Sequence, residues 1–230
     1  MRRGSKKRRF RSGLFRWAAA LLAAGLVATW LPIWILRFVD PPTSAFMLRD
    51  ESPRLQYEWV AWPELGMSGA LAVVAAEDQK FPTHFGFDVA SIRDALDADG
   101  RLRGASTITQ QTAKNLFLSP QRSFVRKGFE AYLAMLIELS WPKQRTLEIY
   151  LNIAQFGPGI YGLGAASRTY FAKSARELDD REAALLAAVL PNPIQLRVDR
   201  PSDYTRDRQA WILGHMQRMR REGTLAALSD

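Results

Sequence analysis

Residues 17–36, WAAALLAAGLVATWLPIWIL, run for twenty positions without a charged side chain. As a helix rising ~1.5 Å per residue, such a run spans ~30 Å, the thickness of a bilayer's hydrocarbon core. Phe15 and Trp17 at one end and Trp30 and Trp34 at the other suit the two membrane interfaces, and Pro32 lies near the outer end, where a broken helical hydrogen bond can be satisfied. A cleaved secretory signal would have an apolar core of ~7–15 residues and a small-x-small cleavage site. This run is longer and leads into RFVDPP, so it reads as an anchor.

The formal net charge of +9 suggests nucleic acid until it is located. Nine of the 32 basic residues lie in the first 37 positions, with no acid among them, and the 23 that remain equal the 23 acidic residues of 38–230. A DNA- or RNA-binding domain needs its positive charge on the folded part, so nucleic acid is excluded as a partner. The basic tail fits the positive-inside rule instead, which puts the N-terminus in the cytoplasm and residues 38–230 outside. The chain then divides into a basic tail (1–16), a transmembrane helix (17–36), an extended connector (37–68) rich in proline, and a folded lobe (69–230). There is no cysteine, which removes disulfides, thiol catalysis and cysteine-held metals. With only His84 and His215, a histidine metal cluster has no basis, while a carboxylate-held Mg²⁺ or Mn²⁺ stays open.

From Gly69 onward apolar residues recur at three- and four-residue spacing. GALAVVAAEDQKF predicts a helix ending near Asp78, and FDVASIRDALDAD another starting near Asp88. TITQQTAKNLF, VRKGFEAYLAMLIELSW, RTLEIYLNIAQF, REAALLAAVL and SDYTRDRQAWILGHMQRMRREG continue the pattern. No sustained two-residue alternation appears, so the expectation is a mainly α lobe without a large sheet. GPGIYG (157–162) matches G-x-G-x-x-G literally, but no strand–helix repeat surrounds it; it reads as a glycine turn between helices rather than a dinucleotide site.

Several positions carry candidate chemistry. Glu77 and Asp78 follow the apolar run LAVVAA, and an acid at the end of a buried helix loses water, which raises its pKa toward general-base range. The alternative is a solvated helix terminus. Arg126 and Lys127 fall four and three residues before Glu130, on one helical face; this is either a surface ion-pair cluster or a cationic face for phosphate. Between Ser106 and Asn115 eight of ten side chains can hydrogen-bond, Gln110, Gln111 and Lys114 among them. Hydroxyls and amides suit sugar groups, and a lysine suits phosphate. His84, Ser106 and Asp88 could be assembled into a hydrolase triad, but nothing places the serine on a nucleophile elbow.

Five blocks in this order resemble the monofunctional biosynthetic peptidoglycan transglycosylases, relatives of the glycosyltransferase domain of bifunctional penicillin-binding proteins. They are EDQKFPTHFGFD (77–88), GASTITQQTAKNLFL (104–118), RKGFEAYLAMLIE (126–138), KQRTLEIYLNIAQFGPGIYGLGAASRTYF (143–171) and REAALLAAVLPNP (181–193). The resemblance implies a mainly helical, lysozyme-like glycosyltransferase lobe with a small membrane-proximal jaw, anchored in the bacterial inner membrane with its catalytic domain in the periplasm. It implies polymerisation of lipid II into β-1,4 glycan strands with inversion and release of undecaprenyl pyrophosphate. Glu77 then aligns with the catalytic base and Glu130 with a second essential glutamate, which either positions the acceptor or organises cations. Lys114 and Arg122 match pyrophosphate-holding positions, with Arg126 and Lys127 adding charge. Ser106, Gln110 and Gln111 match sugar contacts, and Asp78, Phe81 and His84 shape the site. Division or elongation proteins stand as candidate partners. The chain lacks S-x-x-K with K-T-G, so no transpeptidase activity is expected. A membrane-anchored muramidase and a non-catalytic assembly scaffold are the competing readings; a hydrolase of uncharged glycosidic bonds has no use for the cationic set.

Overall fold

The computed structural model describes residues 4–88, 93, 106–121 and 123–226, with side chains from residue 15 onward. The chain forms two units, Met1–Val39 and Asp40–Asp230. The first is helix α1 (Gly4–Leu36), of which Phe15–Leu36 is long and apolar enough to cross a membrane. Within that span the Thr29 hydroxyl is satisfied by the helix itself, lying 3.1 Å from the Gly25 carbonyl and 3.0 Å from that of Leu26.

The second unit is mainly helical. After a 3₁₀ turn at Met47–Arg49 come strand β1 (Gln56–Tyr57) and the one-turn helix α2 (Trp62–Leu65). Helices α3 (Met67–Glu77), α4 (Ile108–Phe117), α5 (Phe124–Ser140) and α6 (Lys143–Ile153) follow. A hairpin of β2 (Gln155–Gly157) and β3 (Ile160–Tyr161) leads to α7 (Leu163–Phe171), a 3₁₀ turn at Ala175–Glu177, α8 (Asp180–Val189) and α9 (Asp203–Arg221). The helix expected to start near Asp88, with Gly100 and Gly104, falls almost wholly outside the described residues.

The core is built around α3. Its sequence, MSGALAVVAAE, is apolar on every side, as a helix must be when neighbours surround it. All seven residues from 69 to 75 are buried, packed against α8 and α9. Close approach is part of this packing: a Cβ added at Gly69 would overlap the Leu163 side chain. Helix α4 packs against α5 and α6, forming a second layer that faces the end of α3.

Residues 40–68, read from sequence as part of an extended connector, fall in the second unit. Gln56 and Tyr57 pair in parallel with Ile160 and Tyr161, because prolines that forbid a helix still permit a short edge strand. GPGIYG is not a turn between helices but the tip of a hairpin, with Gly159 at φ 67° where a side chain would be strained. Sheet order among the described strands is β1-β3-β2.

Asn152, fully buried on α6, ties this N-terminal segment to the helices. Its Oδ1 accepts from Val60 N (2.8 Å) and its Nδ2 donates to the carbonyls of Val60 and Glu148 (2.9 Å each). Glu148 Oε1 also accepts from Trp62 N at 2.7 Å. Replacing Asn152 with Ala leaves a backbone N–H and C=O unpaired in the interior. We expect a loss of roughly 1–3 kcal/mol in urea unfolding; an unchanged midpoint would show that the 58–62 segment is not a structural part of the lobe.

Candidate active site

Glu77 is the last residue of α3. The helix carries it out of water, and a helix C-terminus, where partial negative charge accumulates, is unfavourable for a carboxylate. Burial is accordingly the largest influence on Glu77 and pushes its pKa above the usual glutamate value, with Asp78 acting in the same direction. Three groups oppose it: the Gln111 amide, the Arg208 guanidinium and the Lys114 ammonium. Gln111 Nε2 donates to Glu77 Oε2 at 2.8 Å, and an Arg208 Nη lies 3.3 Å from Oε1. The amide of Gln111 is itself oriented, since the buried Tyr150 hydroxyl donates to its Oε1 at 3.1 Å. Burial and the nearby carboxylates hold the Tyr150 pKa well above the usual phenol range, so it remains a donor.

Asp78 faces a different partner set. His84 Nε2 lies 2.9 Å from both of its oxygens, and Ile108 N, at the start of α4, donates to Oδ2 at 3.0 Å. Asp78 thereby joins the end of α3 to the beginning of α4. Phe81, fully buried, packs edge-on to His84 and lies under the Lys143 ammonium at 4.6 Å. His84 is committed to Asp78, and Asp88 to Lys80 at 3.2 Å, so the paper triad of His84, Ser106 and Asp88 is not assembled.

Helix α4 is the spine of the site. Thr107 caps it, accepting from Gln110 N, while Gln110 Oε1 accepts from Thr107 N. Gln110 was expected among the sugar contacts; the structure uses its buried side chain to close this capping box. The signature T-x-x-Q was present in the sequence and would have found it. Gln111 and Lys114, three residues apart on α4, share a face. Lys114 sits between the two glutamates: burial lowers its pKa, while Glu130 and, more weakly, Glu77 raise it, and Arg126 and Lys127 lower it. Its ammonium also lies 5.5 Å from the Phe46 ring.

Glu130 on α5 is only 2 % exposed, and both of its oxygens are taken. Arg126 Nη1 donates to Oε2 at 2.6 Å and Lys127 Nζ to Oε1 at 2.5 Å. Lys127 Nζ also donates to Ser106 Oγ at 3.0 Å. Arg122 lies outside the described residues. A cleft of about 270 Å³ opens beside these groups, lined among others by Glu77, Asp78, Lys80, Ser106, Thr107 and Trp211. Among the described residues no three His, Asp or Glu side chains converge as a metal site, and Glu130 is spent on cations. These residues do not fit a divalent ion held by the protein alone, so no step is derived through one.

Arg208, Tyr150 and Trp211 were not singled out from sequence. Arg208 and Trp211 belong to an amphipathic helix far along the chain, and only the fold brings them to Glu77. Tyr150 lies within a matching block, but its partner Gln111 is 39 positions away.

The raised pKa of Glu77 has a consequence for stability. A carboxyl whose pKa is higher folded than unfolded favours the folded state below its unfolded value, and that contribution is lost as pH rises through the folded value. Glu77→Gln, which cannot ionise, is therefore expected to melt above wild type at neutral pH, the gain vanishing near pH 4. A lower melting temperature at neutral pH would contradict the desolvation argument. Conversely, Glu130→Ala leaves Arg126 and Lys127 without their shared partner and is expected to cost roughly 1.5–3 kcal/mol in denaturant unfolding.

Comparison with known proteins shows the family. The transglycosylase family model matches residues 47–217. A biosynthetic peptidoglycan transglycosylase of Shewanella frigidimarina is 53 % identical over 203 residues, covering 86 % of this chain and 89 % of the relative. That of Klebsiella oxytoca is 50 % identical over 223 residues (91 % and 90 %), and that of Shewanella amazonensis 47 % over 216 residues (90 % and 88 %). The match spans α3 through most of α9 and so includes every described residue of the site: this chain belongs to the transglycosylase family.

Proposed function

We propose that the protein polymerises lipid II into β-1,4-linked peptidoglycan strands, as an inverting glycosyltransferase held at the bacterial inner membrane by α1 with its lobe in the periplasm. The observation that carries the reading is one desolvated carboxylate, Glu77 at the end of α3, held by Gln111 of α4 and electrostatically coupled to Lys114 on that same α4 face, a lysine coupled in turn to a second, cation-bound glutamate.

The reaction joins a hydroxyl to an anomeric carbon that bears a diphosphate. The 4-hydroxyl oxygen of the incoming lipid II attacks that carbon, its proton passes to Glu77, and the carbon–oxygen bond to the diphosphate breaks with its electron pair going to undecaprenyl pyrophosphate. A single displacement inverts the anomeric centre. An alcohol is a poor nucleophile, so a base of raised pKa is needed. A diphosphate departs readily once its charge is neutralised, so cations replace a general acid. Lys114, Arg126 and Lys127 supply that charge, with Arg122 assigned to the same set by its position in the sequence. Arg126 Nε is buried without a hydrogen-bond partner among the described residues, which leaves a donor for a phosphate oxygen. Glu130 holds Arg126 and Lys127 in place rather than taking a proton, since both of its oxygens already accept from cations.

The substrate's lipid agrees with the surface beside these cations. Phe124 is 98 % exposed and Val125 72 %, one turn before Arg126 and Lys127 reach Glu130. Exposed apolar side chains at the edge of a cationic face suit an interface where a lipid diphosphate is presented.

Incubating the purified full chain with labelled lipid II is expected to give long glycan strands. Shortening of preformed strands without synthesis would instead indicate a hydrolase. Glu77→Gln is expected to lower the polymerisation rate by roughly 10²–10⁴-fold, the scale for loss of a general base; near-normal activity would remove Glu77 from the mechanism. Lys114→Met, which deletes a desolvated cation, is expected to weaken donor engagement while leaving the melting temperature at or above that of wild type. A large drop in that temperature would mark Lys114 as structural.

A further inference from the structure

Helix α9 contributes more to the cleft than the Arg208 contact to Glu77. Trp211, three residues on, lines the same cleft as Glu77, Asp78, Lys80, Ser106 and Thr107 and remains 46 % exposed. Tyr204, one turn before Arg208, is 59 % exposed and joins Asp207, Arg208 and Trp211 around an adjoining hollow. An indole half in water beside a buried carboxylate is not there to fill the core. Nor is it loose: the His215 ring packs against it at a centroid separation of 4.0 Å and 35° tilt, and His215 Nδ1 lies 2.8 Å from the Trp211 carbonyl oxygen. A buttressed aromatic plane, with polar and charged residues lining the same cleft, is the chemistry that recognises a pyranose: the ring's axial C–H bonds meet the aromatic face while its hydroxyls and acetamido group find polar partners.

We propose that Trp211, with Tyr204 beside it, is a stacking platform for the acceptor's sugar, an uncharged N-acetylhexosamine ring whose hydroxyl is thereby aimed at Glu77. The choice of the acceptor follows from position, because Trp211 shares a cleft with the group that takes the acceptor's proton, whereas the diphosphate-binding charges lie on α4 and α5. This assignment rests on the glycosyltransferase reading of the site. It adds α9 to the residues that set how the incoming sugar is held, and it makes Trp211 a specificity-determining residue rather than a structural one.

The test uses the full chain in detergent and two readouts. The first is affinity for a soluble, lipid-free chitotetraose, followed by tryptophan fluorescence or by NMR. The second is the division between KM for lipid II and kcat for polymerisation. Wild type is expected to bind the oligosaccharide. Trp211→Leu is expected to weaken that binding and to raise KM by about tenfold each, the scale of one lost aromatic contact with its buried area, with kcat changed far less. Trp211→Tyr is expected to restore most of both; if Trp211→Leu does not fold, Trp211→Gln, which keeps a side chain suited to a half-exposed helix position but has no ring, carries the same expectations and the same overturning results. Unchanged oligosaccharide affinity in Trp211→Leu overturns the proposal, as does loss of polymerisation without loss of that affinity, which would place the ring against lipid or in the fold. Absence of oligosaccharide binding by wild type overturns it too. Failure of the glycosyltransferase reading looks different: wild type makes no strands at all, while the oligosaccharide measurement still reports on Trp211.

Discussion

The site depends on one constraint, the removal of α3 from water. A helix with seven consecutive buried residues must end somewhere, and this one ends on Glu77. The carboxylate inherits the dryness of the helix that carries it, and the C-terminal end of that helix adds no compensating dipole. Burial alone disfavours its charged form. Gln111, Arg208 and Lys114 act in the opposite direction, favouring the anion, while the net shift stays upward. The ionisation of Glu77 is thus governed by groups from α4 and α9 as well as by the helix that carries it.

The two buried glutamates of the site have opposite surroundings. Glu77 receives one amide hydrogen bond and a longer contact from a guanidinium. Glu130 receives two short contacts from full cations on its own helix. A carboxylate so engaged is an anchor, since it holds Arg126 and Lys127 against their mutual repulsion on one face. Lys114, coupled to both, links the basic and the cationic halves of the site. Charge that would be costly in isolation is thus arranged in the fold itself; under the proposed reaction this is the preorganisation that stabilising a departing diphosphate requires.

Much of this was legible in the sequence. The uncharged run of α1, the all-apolar α3 and the three- to four-residue spacing of the later helices follow from composition and periodicity alone, and Glu77, Glu130, Arg126 and Lys127 sit where local spacing puts them. What periodicity could not show is long-range pairing. Nothing local joins Tyr150 to Gln111, Arg208 to Glu77 or Asn152 to Val60, because each pair is set by how helices dock. In the segment before α3 the details were not legible for a related reason: Pro63 is compatible with the first turn of a short helix, and an edge strand of two residues leaves no alternation to detect. Gln110 has a second reading that its position offered, because Thr107 three residues earlier makes the same amide a partner in a helix capping box.

The account stands or falls on the ionisation of Glu77, and the direct measurement is an NMR titration of the full chain with ¹³C-labelled glutamate, the Glu77 carboxyl assigned by its disappearance in Glu77→Gln. The predicted midpoint lies above the ordinary glutamate value of 4.5 and rises further in Gln111→Leu, which removes the hydrogen bond that favours the anion. A midpoint at or below 4.5, or one indifferent to Gln111, would mean that the carboxylate is solvated in solution and that the cleft holds no base of the kind described.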